Sequence, residues 1–95
     1  MEVVQDVAED PTMKTFWCPG CKTGHFFKVG PWHWDGDRSM PTVFPSISVS
    51  YNGPDAGDPG APQAKCHFFV RAGVLEYLPD STHALAGQSV PMEPQ

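Results

Sequence analysis

Two cysteines stand close together near the start of the chain, in Cys18-Pro19-Gly20-Cys21. A spacing of two residues lets both thiolates bind one cation, and Pro19 with Gly20 favours the tight bend that directs backbone N–H groups at the sulfur atoms. A third cysteine, Cys66, returns later in the chain, as the second half of a ribbon-like site would. These residue types in this order predict a zinc knuckle, and in a domain this small a structural zinc is the expected kind.

Three histidines could complete the tetrahedral site. His67 adjoins Cys66 on a predicted strand, where neighbouring side chains face opposite sides, so both could reach one metal only across a bulge. His25 lies close to the knuckle, whereas His83 lies beside a predicted helix start, a common source of a distant ligand. We therefore predict zinc bound by Cys18, Cys21, Cys66 and His83, with His25 as the alternative fourth ligand.

Two other roles for the cysteines are less consistent with the sequence. The segment from Trp17 to Cys21 superficially resembles the Trp-Cys-x-x-Cys of thioredoxin-like proteins, but there a helix follows the first cysteine and lowers its pKa. Here residues 22–27 are typical of a turn and then a strand. Buried cysteines can also serve simply as small apolar side chains, but the Pro-Gly bend favours metal binding.

A zinc-dependent hydrolase or a deaminase-like enzyme is the rival class of function. Such an enzyme needs an open metal position and a nearby general base, for which His33, Asp35 and Asp37 are candidates. However, the sequence has neither His-Glu-x-x-His nor the deaminase pattern of His-x-Glu followed by Pro-Cys-x-x-Cys. We assign the two aspartates to turns and His33 to an exposed strand position, and predict no catalytic residue.

Short strands must position these groups. Eleven prolines and nine glycines interrupt the chain of 95 residues, and no stretch sustains the apolar spacing of a long helix. Aromatic and β-branched residues cluster in short runs that predict strands. These runs cover residues 14–17, 25–29, 32–34, 46–51, 66–70 and 74–77. The expected fold is mostly β, a small antiparallel domain with a zinc-ribbon-like knuckle.

One short helical turn is expected near the C-terminus. Asp80 can accept hydrogen bonds from the N–H groups that follow it, residues 81–86 could form a turn or two, and Gly87 suits a left-handed cap. The composition divides the chain into an acidic N-terminal arm at 1–12, a zinc-binding β domain at 13–91 and a tail at 92–95.

The charge pattern excludes several partners. The formal net charge is −5, and only six Lys and Arg residues are scattered through the chain, so no basic stripe is available for nucleic acid. The apolar runs are too short to span a bilayer, and no charged segment followed by an apolar one stands at the N-terminus, so we expect no secretion signal. We expect neither nucleic-acid nor membrane binding, and a location in a reducing cytoplasm.

The order of motifs resembles a family of short bacteriophage and prophage proteins, some of which carry the label ammonia monooxygenase. The motifs are Phe16-Trp17-Cys18-Pro19-Gly20-Cys21, His25, Trp32-His33-Trp34-Asp35-Gly36, Pro41-Thr42, Pro45-Ser46, Cys66-His67-Phe68, Gly73 and the run from Asp80 to Gly87. The resemblance implies a phage source and a zinc site. Three cysteines and four histidines without a long helix do not make a membrane copper oxygenase.

These observations lead to a hypothesis for function. A small acidic domain with a structural zinc and no evident catalytic group suits a binding or structural module. The expected partner is a protein, either a phage capsid that the chain decorates or a host protein. We expect the chain to be oligomeric or bound to an assembly, in the virion or in the host cytoplasm.

Overall fold

Eight short strands form two antiparallel sheets in the computed structural model, which describes residues 1–95. One sheet has the order β1-β2-β3 and the other has the order β4-β5-β6-β7-β8. The strands are β1 Gln5–Val7, β2 Asp10–Cys18, β3 Thr23–Lys28, β4 His33–Trp34, β5 Val43–Asn52, β6 Ala64–Arg71, β7 Val74–Tyr77 and β8 Ser89–Pro91. The prediction of a mostly β, antiparallel domain is confirmed.

Alternation of apolar residues explains which face of each strand is buried. In β6 the side chains of Cys66, Phe68 and Val70 are buried, while the residues between them are partly exposed. Phe16 of β2 meets Phe68 of β6 at a ring-centroid distance of 5.8 Å, which joins the two sheets across the core. Because neighbours on a strand face opposite sides, Cys66 faces the core and His67 faces outward.

A bulge interrupts the pairing of β5 with β6. Val43 pairs with Val70, but the next paired residues are Ile47 and Phe68, so three residues of β5 lie opposite one residue of β6. The extra residues include Ser46, which lies on the outward side because its neighbour Ile47 is buried. Bulges redirect side chains in this way and are frequent beside functional sites.

The region after β7 contains turns and no helix. The amide of Ala86 donates to the carbonyl of His83 at 3.2 Å, which closes one turn, and Gly87 has a φ of 76° as expected of a left-handed position. The one helix is a 3-10 helix at Pro54–Ala56, in the loop between β5 and β6. No helix in the structure combines the length and the apolar character that a membrane crossing requires.

Residues at the N-terminus contribute to the core. Val3 and Val4, which lie in the segment expected to be an acidic arm, are buried, and both of their amides donate to the carbonyl of Arg38 at 2.7 and 3.2 Å. Asp6 forms ion pairs with Lys14 at 2.9 Å and with Arg38 at 3.0 Å. The acidic composition of residues 1–12 predicts an exposed arm and gives no indication that Val3 and Val4 anchor it in the core.

Candidate functional sites

The cysteine knuckle converges with β3 and β6 in the core. One ligand atom from each of four residues lies within 4.8 Å of all the others, and these residues are Cys18, Cys21, His25 and Cys66. Cys18 and Cys66 are fully buried and their sulfur atoms are 3.9 Å apart. Three cysteines and a histidine this close together can bind a metal ion.

The bend between the first two cysteines has the geometry of a knuckle. The amide of Cys21 approaches Cys18 Sγ at 3.5 Å, and the amide of Lys22 donates to the Cys18 carbonyl at 2.7 Å. Lys22 has a positive φ of 56°, which turns the chain back into β3. Tyr77 contributes from β7, because its hydroxyl lies 3.0 Å from Cys18 Sγ and accepts the Gly20 amide at 3.2 Å.

The pKa values of the three cysteine thiols are shifted in different directions. The hydrogen bond with Cys66 lowers the pKa of the Cys18 thiol, and the same contact raises the pKa of Cys66. Burial raises the pKa of Cys21. Cys18 is therefore the thiolate that the fold stabilises without a metal, while the other two thiols retain their protons. A cation bound between the three sulfur atoms would favour deprotonation of all three.

The two candidate histidines differ in their surroundings. His25 is 3 % exposed and belongs to the group of mutually close ligand atoms. His83 lies beside that group, with Nε2 at 3.3 Å from Cys66 Sγ, and its Nδ1 accepts the amide of Leu85 at 3.2 Å. A neutral imidazole that accepts at Nδ1 carries its proton at Nε2, so His83 is arranged to donate to the sulfur of Cys66.

A second cluster lies on the outward face of the five-stranded sheet. His67 Nε2 is 3.1 Å from the hydroxyl of Ser46, and His67 Nδ1 is 3.1 and 3.2 Å from the two carboxylate oxygens of Asp80. The two ring nitrogens thus contact a hydroxyl on one side and a carboxylate on the other. This is the Ser-His-Asp arrangement of serine hydrolases, which is recognised by geometry and not by the order of residues in the chain.

Hydrogen bonds between β6 and the segment after β7 hold Asp80 in place. The hydroxyl of Ser81 accepts the amide of His67 and donates to its carbonyl, both at 3.0 Å. The amide and hydroxyl of Thr82 bind the carbonyl and amide of Lys65 at 2.8 and 2.9 Å. The Asp80 loop is therefore fixed along the strand that carries His67.

Asp80 is an ionised partner for the imidazole. Lys65 Nζ lies 3.1 Å from its carboxylate, and the hydrogen bonds from Lys65 and then from His67 lower the pKa of Asp80 below its ordinary value. The carboxylate is therefore charged at neutral pH and accepts the proton of His67 Nδ1, which leaves Nε2 free to accept from Ser46. Asp80 was expected to cap a helical turn, but its carboxylate is occupied by these two side chains instead.

The other acidic candidates are turn residues, as expected. Asp35 Oδ1 accepts the amides of Asp37 and Thr42 at 3.0 and 3.2 Å. Asp37 Oδ1 accepts the amides of Ser39 and Met40, both at 2.9 Å. Neither carboxylate is directed to the cysteine cluster.

The Ser46, His67 and Asp80 group was not predicted. Ser46 carries no flanking nucleophile motif, and the sequence predicts His67 only as a poor metal ligand and Asp80 only as a cap. One signal was present in the sequence: a histidine that must face away from Cys66 lies on the open side of the sheet with no metal to bind. That signal identifies His67 but not its two partners.

The contacts of Ser46, His67 and Asp80 have the geometry of a serine hydrolase site. Comparison with protein families agrees, because a family model described as bacterial ubiquitination-like system serine protease (BubE) matches residues 1–78. The chain belongs to this family. Ser46 and His67 lie within the matched residues and Asp80 lies just beyond them. Comparisons with curated proteins and with solved structures gave no match.

The family corrects the expected function. A docking module that decorates a phage capsid or binds a host protein is wrong, because the matching family is one of serine proteases from a bacterial ubiquitination-like system. The zinc-dependent alternative is replaced as well, since a serine protease attacks its substrate through a hydroxyl. The residues near the cysteine cluster include no serine beside a histidine, whereas Ser46 and Asp80 contact His67 on the other face of the sheet.

Proposed function

We propose that this chain is a serine peptidase in which Ser46 is the nucleophile, His67 the general base and acid, and Asp80 the residue that orients His67. The observation that carries the proposal is the continuous chain of contacts from Ser46 Oγ to His67 Nε2 at 3.1 Å and from His67 Nδ1 to Asp80 at 3.1 Å. The family description supports a serine as the nucleophile. The expected protein partner then becomes a protein substrate.

In this proposal each step of amide hydrolysis is carried out by one of these residues. Ser46 Oγ attacks the carbonyl carbon of the scissile amide while its proton passes to His67 Nε2. When the C–N bond breaks, His67 gives that proton to the leaving amine, and the acyl group remains on Ser46 as an ester. Water then attacks the ester, His67 removes its proton, and the acid is released with Ser46 restored. Asp80 stays ionised throughout and stabilises the imidazolium.

A fluorophosphonate probe tests this proposal directly. Such probes phosphonylate an activated serine, so the expected product carries one probe, located at Ser46 by peptide mass spectrometry. His67→Ala should prevent labelling because no base remains to activate the hydroxyl. Ser48→Ala is the matched control, since Ser48 lies on the same strand and is paired with His67. Labelling of another serine, or of none, would contradict the proposal.

Lys65 provides a separate test of the charge on Asp80. Lys65→Met removes the largest cause of the lowered pKa of Asp80, so the carboxyl should titrate at higher pH in an NMR titration. Because Lys65 is hydrogen-bonded to neither Ser46 nor His67, kcat at neutral pH should fall by only about fivefold or less. Arg71→Met is the control, since Arg71 is paired with Glu76 at 3.5 Å and not with Asp80. An unchanged titration of Asp80 would show that Lys65 does not determine it.

We also propose that the metal is a structural zinc, bound by Cys18, Cys21, His25 and Cys66. Thiolate and imidazole ligands favour zinc, and four protein ligands leave no open position for catalysis. His25 takes the place predicted for His83 because its ring belongs to the close group, whereas the Nε2 proton of His83 directs that ring to donate to Cys66. Such a donor stabilises the bound sulfur without itself binding the metal.

Substitution of the two histidines distinguishes these roles. His25→Ala should weaken zinc binding by about 100-fold or more, and His83→Ala by about tenfold, the effect of losing an outer hydrogen bond. Competition with a chromophoric chelator measures both, and His33→Ala is the control because His33 is exposed on β4. A larger loss in His83→Ala than in His25→Ala would return His83 to the position of fourth ligand.

A further inference from the structure

The direction of the catalytic histidine fixes where the acyl side of a substrate must lie. His67 gives its proton to the leaving amine, so the leaving group has to sit beside Nε2, on the β6 side of Ser46. In the sheet, β5 lies between β4 and β6. The acyl side of a bound peptide therefore extends from Ser46 away from β6 and toward β4.

A pair of stacked aromatic rings occupies that side. Phe44 of β5 is paired with His33 of β4, and their rings stack at a centroid distance of 4.9 Å with 16° between their planes. Val43 and Ile47 are buried, so their neighbours Phe44 and Ser46 lie on the opposite, outward side. Only Pro45 separates Phe44 from Ser46 in the chain, which limits the distance between their Cα atoms to about 7 Å.

Phe44 remains open to solvent in spite of its size. Its side chain is 56 % exposed, and its stacking partner His33 is exposed as well, so the pair presents an uncovered aromatic surface beside the nucleophile. Its stacking on His33 holds the ring in place, and covering such a ring with an apolar group is favourable.

We propose that Phe44 and His33 form the specificity subsite for an apolar side chain at the first or second residue on the acyl side of the scissile bond. The proposal rests on the peptidase function argued above. Phe44 supplies the contact surface for the substrate side chain, and His33 holds the Phe44 ring. The substrate class is a peptide or protein segment that presents Leu, Phe or a similar apolar residue immediately before the cleaved bond.

Fluorogenic N-acetyl tetrapeptide coumarin amides test the subsite. The two residues next to the coumarin are varied among Leu, Phe, Gly and Glu, and kcat/KM is measured for each substrate. The wild-type protein should prefer Leu or Phe over Gly by about 10-fold at one of these positions, because an exposed ring covers only part of an apolar side chain. Phe44→Ala should reduce that preference to about threefold or less, by lowering kcat/KM for the apolar substrates alone.

Two further variants separate the subsite from a general effect on folding. Phe44→Leu should restore most of the preference, because it replaces one apolar surface by another. Phe26→Ala removes a phenylalanine of similar exposure, 53 %, from β3 of the other sheet, and should leave the preference unchanged. Fluorophosphonate labelling of Ser46 in Phe44→Ala confirms that the catalytic group is intact.

The outcomes distinguish the two proposals. If Ser46 is labelled and peptides are hydrolysed, but the preference survives in Phe44→Ala or is absent from the wild type, the subsite is refuted and the peptidase stands. If Ser46 is not labelled and no tetrapeptide is hydrolysed, the peptidase function fails and the subsite fails with it.

Discussion

Replacing Ser46 with alanine is expected to lower kcat for peptide hydrolysis by a factor of about 10⁴ or more, because the reaction then has no nucleophile to form the acyl-enzyme. The same coumarin amides measure the loss. The control is Ser48→Ala, which removes a different serine hydroxyl from the same strand. Ser48 is paired with His67, and its loss should leave kcat within about threefold of the wild type. If Ser48→Ala and not Ser46→Ala were inactive, the nucleophile would be misassigned.

A double variant tests whether Asp80 and Ser46 act together in catalysis, because their effects on kcat should then not add. Asp80→Asn should lower kcat by about 10³- to 10⁴-fold, because an amide oriented toward Nδ1 favours the wrong tautomer of His67. The double variant with Ser46→Ala should be no slower than Ser46→Ala alone, since residues that act as one catalytic unit cannot lose their effect twice. Independent losses that add in the double variant would mean that Asp80 acts on stability and not on His67.

Much of the fold could be predicted because its information is local. Runs such as residues 66–70 alternate buried and exposed side chains, and Gly73 with a φ of 77° allows the tight turn between β6 and β7. β1 and β8 could not be predicted in this way. Each is only three residues long and mostly exposed, so pairing with β2 or β7 defines the strand more than its own composition does.

The two sites differ in how far the sequence could define them. The knuckle is local, since Cys18 and Cys21 lie on either side of one bend, and Cys66 could be added because cysteine is rare in this chain. The group of Ser46, His67 and Asp80 has no such local signal. Ser46 reaches His67 through a bulge in β5, and Asp80 reaches it through the hydrogen bonds of Ser81, so both contacts depend on pairing between distant segments.

The same strand links the two sites. Cys66 and His67 are adjacent in β6 and face opposite sides, so a metal bound to Cys66 in the core would fix the backbone that carries the imidazole proposed as the general base. His83 contacts Cys66 at 3.3 Å and follows Thr82, whose bonds to Lys65 help to hold the Asp80 loop. The metal site and the catalytic site should therefore be lost together.

Removal of zinc under reducing conditions is expected to lower the free energy of unfolding by more than about 4 kcal/mol and to abolish labelling of Ser46. The apolar core contains only 13 buried residues, two of which, Cys18 and Cys66, belong to the cysteine cluster, while a third, Tyr77, is hydrogen-bonded to Cys18. A core of this size cannot compensate for the loss of the metal. Thermal unfolding and fluorophosphonate labelling, each with chelator and again after zinc is returned, measure the two effects.

Two variants on one face of β6 show whether the metal itself is responsible. Cys66→Ala should be destabilised and insensitive to added zinc, because the site has lost a ligand. Val70→Ala, at a position 1 % exposed on the same face, should be destabilised by about 1 to 3 kcal/mol through lost packing, yet still be stabilised by zinc. Equal stability and equal Ser46 labelling of the wild type with and without chelator would mean that the cysteines serve only as core residues, and that β6 positions His67 without a metal.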